Sequence, residues 1–313
     1  MKLLTPRIPL ATFCLALLVS LPCQAQSPCA PRTLGPATGS SSAGVGLLTE
    51  MDGDRLLAVG RGGSQQPLFQ QASFSVPGPQ AAILSFERDP VSGGWTETPS
   101  LPLTQLDGTP VLRLSLSGDR AAVVTVGQRR FILAFNAATQ QWGVEAELDL
   151  DRFQVASFAP KILLDGDRLA AGALRLPEQH VEVHTRDSVT GQWTREALLV
   201  DPRTGDFTTS YFGEALCFDG DWLIIGNRSL GGSVTPGRVY GYKRSAAGTW
   251  SLVLDLNDPE TVRHAEFGAS VALSGNILIV GASRGQLPGR PFRNGAVLVY
   301  RFDRVAGTAA LIQ

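Results

Sequence analysis

Apolar residues along this chain come in short runs, cut by Gly, Asp, Asn and Pro. Short runs rich in Val, Ile, Leu and Tyr and bounded by turn residues predict β-strands. The clearest set reads Glu214–Phe218, Trp222–Gly226, Arg238–Lys243 and Thr249–Leu254, four strands in succession. No window beyond residue 25 shows a convincing period of 3.6, so almost no helix is predicted.

The four-strand unit recurs. Hairpins centred on Gly53, Gly118, Gly166, Gly220 and Gly275 are spaced 65, 48, 54 and 55 residues apart. Each Gly is flanked by Asp, Ser or Asn, as in Asp219-Gly220-Asp221 and Ser274-Gly275-Asn276. Gly supplies the positive φ of a tight hairpin, and Asp or Asn bonds back to the chain. Because the run appears at every hairpin, it reads as turn chemistry rather than as a set of calcium ligands. Trp95, Trp142, Trp193 and Trp250 follow in step, and the fifth unit has Ala309 at that place. Repetition at this period predicts stacked copies of one supersecondary unit. The fold class is therefore all-β, a β-propeller of four-stranded antiparallel blades over residues 44–313. The count is five blades; six is the alternative, with one built from residues 26–43 and the long first unit. The tryptophans and inner aliphatics are expected to fill the core between blades.

Phe212-Gly213 and Phe267-Gly268, each followed by Gly-Asp or Gly-Asn, then Val280-Gly281-Ala282 and Gly295–Tyr300, resemble the FG-GAP repeat. Integrin α-chain propellers carry that repeat, as do many bacterial secreted proteins. The likeness is strong in the last two units and partial in the first three, where Phe-Gly is lost. The family's calcium loops have a spaced Asp-x-Asp-x-Asp-Gly character, and no such run occurs here. No metal site is carried over and no cofactor is expected; calcium held by loop carbonyls is the remaining alternative.

Residues 1–25 read as a signal peptide: Lys2 and Arg7, an apolar stretch from Ile8 to Leu21, and Cys23-Gln24-Ala25 before the cut. Pro22 disfavours a lipid anchor at Cys23. Residues 26–43 form a flexible N-terminal segment, and no transmembrane span is expected in the mature chain. With Lys2 and Arg7 removed, 25 basic residues face 28 acidic ones. A near-neutral chain argues against nucleic acid as a partner. The leader and the excess of Arg over Lys point to the periplasm or exterior of a Gram-negative bacterium. Secretion permits a Cys29–Cys217 disulfide; Cys217 also reads as a small buried residue, since the fifth unit has Ala272 there.

Chemistry is sparse. His180 and His184 flank Glu182 in a segment that alternates like a strand. There they would lie about 13 Å apart, too far to share one ion, so they read as a polar strand face. No nucleophile elbow, phosphate loop or dinucleotide fingerprint occurs. Glu214, Glu266, Asp201 and Asp206 lie near strand entries, where a pair could serve as hydrolytic carboxylates. The loops joining second to third strands, and fourth strands to the next blade, are long. Arg228, Arg238, Arg284, Arg290, Phe292 and Arg293 are the candidate binding residues they bring over blades 4 and 5. The plainer reading is solvated loops made Arg-rich by genomic bias. Three functions remain open: a non-enzymatic module binding a protein or glycan partner, a carbohydrate-active hydrolase, or a structural module of an envelope complex. Mass spectrometry of the exported protein should find a mature N-terminus at Gln26; an intact leader would remove the secretory reading.

Overall fold

The structure is a computed structural model, described for residues 45–60, 82–149, 161–174, 179–203, 210–229, 236–259, 266–283 and 295–312. It contains five four-stranded antiparallel sheets, each a meander in chain order, which are the blades of a β-propeller. Blade 1 holds β1 (Val45–Asp52), β2 (Arg55–Gly60), β3 (Ala82–Arg88) and β4 (Trp95–Pro102). Blade 2 holds β5 (Val111–Ser117), β6 (Arg120–Thr125), β7 (Arg130–Asn136) and β8 (Gln141–Leu148). Blade 3 holds β9 (Ile162–Asp165), β10 (Arg168–Leu174), β11 (Gln179–Arg186) and β12 (Trp193–Val200). Blade 4 holds β13 (Ser210–Asp219), β14 (Trp222–Ser229), β15 (Arg238–Arg244) and β16 (Trp250–Asn257). Blade 5 holds β17 (Phe267–Ser274), β18 (Ile277–Ala282), β19 (Ala296–Asp303) and β20 (Thr308–Leu311). Among the described residues the one helical piece is a 3₁₀ turn at Leu103–Gln105.

The five Gly-centred hairpins all form. Gly53, Gly118, Gly166, Gly220 and Gly275 take φ between 55° and 62°. Each is the first of two loop residues, as in the pairing of Asp219 with Trp222, and the following Asp or Asn keeps negative φ. Positive φ at the first position alone is what a type II′ turn requires.

Two compact units divide the chain, residues 1–110 with 135–142, and residues 111–134 with 143–313. In the first unit, the Arg55 guanidinium lies 3.9 Å from the Phe135 ring centroid. The Trp142 indole donates to Ser85 Oγ at 2.9 Å. Both contacts hold residues 135–142 against blade 1.

In the second unit, successive blades pack through their first strands in a fixed register. Leu164 N donates to Ser115 Oγ at 3.0 Å, and Gly166 N to Ser117 Oγ at 2.9 Å. One interface on, Leu273 N donates to Cys217 Sγ at 3.2 Å, and Gly275 N to Asp219 Oδ2 at 2.8 Å. The same offset from the hairpin Gly holds in both places, so neighbouring hairpins line up. The free Cys217 thiol is therefore a bonding group between blades 4 and 5, and burial pushes its pKa up to about 11. Cys29 lies outside the described residues.

Side chains alternate between the two interfaces of each blade. Leu223 and Ile225 of β14 join Val181, Val183, Leu199, Phe212 and Tyr240 on one face. Trp222 and Ile224 join Phe267, Leu278, Val280 and Phe302 on the other. A strand buried on both faces must read as a continuous apolar run, which explains Trp222–Gly226.

The Phe-Gly dipeptides are bulges. Phe212 pairs with Asn227 and Ala215 with Gly226, leaving Gly213 and Glu214 as extra residues on β13. Phe267 pairs with Ala282 and Ser270 with Gly281, leaving Gly268 and Ala269 extra on β17. Gly213 and Gly268 take φ of 88° and 86°. Each presses on a glycine in the preceding blade's second strand: a Cβ on Gly172 would lie 2.6 Å from Gly213 O, and one on Gly226 would collide with Gly268 O.

The repeated tryptophans differ from the expected core wedge. Trp142 is buried, while Trp95, Trp193 and Trp250 are half-buried. Trp193 and Trp250 act through their indole N–H. Trp193 Nε1 donates to Glu145 Oε1 at 3.0 Å, beside Arg186 Nε at 2.7 Å and with Arg120 Nε on Oε2 at 3.0 Å. Trp250 Nε1 donates to Glu196 Oε2 at 3.2 Å, beside Arg244 Nε on Oε1 at 2.7 Å. Burial alone would raise the Glu145 carboxyl; its three donors outweigh that and hold it below the usual carboxylate range. The acceptor sits three residues after the preceding blade's own Trp. That position is Val253 in blade 4, and the donor it would receive is Ala309 in blade 5. Donor and acceptor are lost together.

Gly226→Ala should destabilise the protein by about 2–3 kcal/mol, since a methyl must displace a neighbouring backbone. Gly275→Ala meets open space and should cost about 1 kcal/mol for its left-handed φ alone. Urea midpoints of the two variants check the order.

Candidate functional site

Strand direction decides where function can sit. In each sheet of the second unit, the first-to-second and third-to-fourth turns lie at the Gly-hairpin end. The second-to-third connections and the links to the next blade lie at the other. The strand ends that border residues 150–160, 175–178, 204–209, 230–235, 260–265 and 284–294 therefore all lie at the end opposite the hairpins.

A polar network occupies that end between blades 3, 4 and 5. The bulge on β13 re-aims Glu214, as bulges do. Glu214 meets Arg228 of β14 in a two-pronged pair: Arg228 Nε bonds Glu214 Oε2, and Nη2 donates to Oε1 at 3.0 Å. The same guanidinium reaches Glu266 Oε2 at 3.6 Å and lies 4.6 Å from the Tyr211 ring centroid. Ser283 Oγ donates to Glu266. Glu266 is buried and holds φ of 52°, a left-handed conformation that non-glycine residues rarely take. Burial would lower the Arg228 pKa, but the Glu214 bond and the charges of Glu214 and Glu266 carry it above its ordinary value. Burial raises the Tyr211 phenol, helped by both carboxylates and opposed by Arg228.

Beneath lies a second knot. Asn227 Nδ2 donates to Asp201 Oδ2 at 2.8 Å, Arg203 Nη2 donates to the same oxygen at 3.1 Å, and Arg203 also bonds Asn227 Oδ1. Tyr211 N donates to Asn227 Oδ1 at 3.2 Å, which ties the knot to the strand carrying Glu214. Asn227 is fully buried, so the sequon Asn227-Arg228-Ser229 presents no accessible amide.

Of the binding residues expected from sequence, Arg228 lies buried between two carboxylates. Arg238 starts β15 and pairs with Asp255 Oδ2 at 2.7 Å on the surface. Arg284, Arg290, Phe292, Arg293 and Asp206 lie outside the described residues. The structure does bring Glu214 and Glu266, singled out as strand-entry acids, onto one guanidinium. The sequence places Tyr211 at the end of the loop that enters blade 4, but Ser283 was missed. Repeat alignment could have found Ser283: Tyr211 and Arg228 occupy in blade 4 the positions that Glu266 and Ser283 occupy in blade 5, just outside the common pattern.

The histidines are placed differently from expectation. His180, Glu182 and His184 are all buried, and Glu182 Oε2 lies 3.2 Å from His184 Nε2 and 3.5 Å from Arg195 Nη1. The exposed polar face is absent because both faces of β11 are covered. Among the described residues no three His, Cys, Asp or Glu side chains gather as a metal site, and no helix is long and apolar enough to cross a membrane.

Residues 250–300 match the family described as FG-GAP repeat, from β16 into β19, so the chain carries that repeat there. No curated protein matches the chain. A periplasmic gluconolactonase from Pseudomonas aeruginosa is similar in structure at 14% identity, over 83% of this chain and 67% of that one, with a TM-score of 0.49. A protein from Lactobacillus plantarum is similar at 15% identity, over 82% and 67% of the two chains, with a TM-score of 0.47. Likeness this distant carries nothing about activity to the chain.

Arg228→Met should cost about 3 kcal/mol, because it leaves Glu266 and Glu214 shielded from water without their cation. Arg238→Met removes an exposed pair and should cost at most about 0.5 kcal/mol. Thermal melts of the two variants measure the difference.

Proposed function

We propose that the chain is a secreted, non-enzymatic propeller that binds a protein or glycan partner through the loop-bearing end of its second unit. One observation carries this reading: the strand ends that the long connections of that unit join all lie at the same end, where Tyr211, Glu214, Arg228 and Glu266 form their network. A rigid scaffold that gathers its irregular loops at one end has the usual build of a binding protein. Arg284, Arg290, Phe292 and Arg293 belong to the connection between β18 and β19 and supply the Arg and aromatic chemistry common at binding hot spots. Periplasm or cell exterior of a Gram-negative bacterium is the compartment this reading takes from the leader.

Hydrolysis of a carbohydrate is the second reading, favoured by two carboxylates meeting at one point and by the strained backbone at Glu266. It is the weaker one. A glycosidase presents one carboxyl to the leaving group and the other to water or the sugar. Here Arg228 engages both oxygens of Glu214, and Ser283 and Arg228 converge on Glu266 Oε2.

The test pairs the two ends of the blades. Immobilised mature chain is offered solubilised envelope fractions and a glycan array, alongside Arg284→Ala/Arg293→Ala and a hairpin-end control, Val189→Ser. The loop-end variant should lose at least about tenfold in binding, with the control unchanged. Equal retention by all three proteins would refute the assigned face, and release of reducing sugar that disappears in Glu266→Gln would establish the hydrolase instead.

A further inference from the structure

At the hairpin end of the second unit, one carboxylate fastens blade 3 to blade 2. Glu145 lies on β8 of blade 2. Its Oε1 accepts from Arg186 Nε at 2.7 Å and from Trp193 Nε1 at 3.0 Å, both of blade 3. Its Oε2 accepts from Arg120 Nε of β6 at 3.0 Å. Arg186 and Trp193 pair across the base of the β11–β12 hairpin, so Glu145 grips both legs of that turn. Asp167, in the β9–β10 turn, completes the set, 3.3 Å from Arg120 Nη1 and 3.7 Å from Arg186 Nη1. Each arginine touches both acids, and the four charges close into a ring that sums to zero.

A single proton unbalances that ring. The Glu145, Arg186 and Arg120 side chains are 16%, 17% and 26% exposed, against 47% for Asp167. With Glu145 neutral, two shielded guanidinium groups share the one acid that water already solvates, and they repel each other. The protonated carboxyl also turns an O–H donor toward groups that only donate. Beneath the ring, the contact of Ala122, Ile132, Leu164 and Leu169 is apolar and has no proton to gain. Three other ionisable groups flank the ring. Glu147, two residues along β8, is taken by Arg129. Asp187 follows Arg186 in the exposed turn and accepts from Val189 N and Thr190 N. His184, two residues before Arg186 on β11, lies 3.2 Å from Glu182 Oε2.

We infer that Glu145 is an acid-released latch: taking up a proton frees the β11–β12 hairpin from blade 2, while the apolar interface beneath stays closed. The direction follows from linkage. In the folded chain, burial opposes but does not cancel the donors that hold Glu145 below the usual carboxylate range. The ring therefore adds stability above the unfolded-state value and loses it as pH falls through the folded-state one.

The test compares the full mature chain with Glu145→Gln, which keeps the shape and has no charge to lose. At pH 7 the variant should melt about 3–6 °C below wild type. Trypsin should cut it after Arg186 at least about fivefold faster, with other sites unchanged. The gap in melting temperature should close to under about 1 °C as pH falls below the carboxylate range, because wild type then carries the same neutral side chain. In a Trp193→Phe background the gap should close at a higher pH, since one of the donors that keep the carboxyl ionised is gone. A gap that is equal at pH 7 and pH 3, or absent at pH 7, would overturn the latch. Faster cutting at every site alike would also overturn it, because the unit would then be opening as a whole. Should Glu145→Gln fail to fold, the acid midpoint of Trp193→Phe is set against that of wild type; equal midpoints refute the inference.

Discussion

The close approach of two backbones across a blade interface is the constraint on which the second unit rests. Gly213 leans on Gly172, and Gly268 leans on Gly226. Neither contact leaves room for a Cβ, and both leaning glycines hold φ near 90°. The Phe before each one is fully buried among the aliphatics of both blades. Phe and Gly therefore do one job in two parts. The ring supplies apolar burial, while the missing side chain lets the strands come near enough for that burial to be complete. The bulge that results also turns Glu214 out of the apolar interface, so the packing device and the polar site share a cause.

Around this contact, polar groups fix the register that apolar packing leaves loose. A hydrophobic interface tolerates sliding; a backbone N–H aimed at a Ser, Cys or Asp side chain does not. The bonds from Leu164 to Ser115 and from Leu273 to Cys217 set neighbouring first strands at one offset. Farther out, Glu145 and Glu196 each collect an indole N–H and one or more guanidinium groups from the next blade. These carboxylates lie only partly in water, where charge-assisted bonds outweigh what exposed pairs contribute. Blade 5 lacks the Trp, blade 4 lacks the Glu, and Arg304 bonding Asp219 Oδ2 at 2.6 Å serves their interface instead.

Reading the chain residue by residue recovered strands well and side-chain roles unevenly. The four strands of blade 4 were legible because each is a run of apolar residues between turn formers. β13 began four residues earlier than expected, since a bulge interrupts the pairing pattern at Gly213 and Glu214 without ending the strand. The tryptophans were legible as a repeat, yet not as hydrogen-bond donors, because their acceptors sit about 50 residues away on another blade. His180 and His184 looked solvent-facing because alternation along β11 cannot show that a neighbouring blade covers the polar side too. Glu214 and Glu266 stood out as strand-entry acids; that Arg228 joins them could not be read from positions 52 residues apart.

Local sequence by itself determined the repeated unit: five Gly hairpins, runs of strand length, and Phe-Gly at two blade entries. Those features depend on φ preferences and on burial of a few neighbouring residues, which the chain carries wherever it goes. Tertiary structure alone decided which groups share a point in space. The meeting of Arg228 with two carboxylates and the closing of Asn227 over Asp201 and Arg203 each join side chains from different strands or blades, and such distances are set by how the sheets stack.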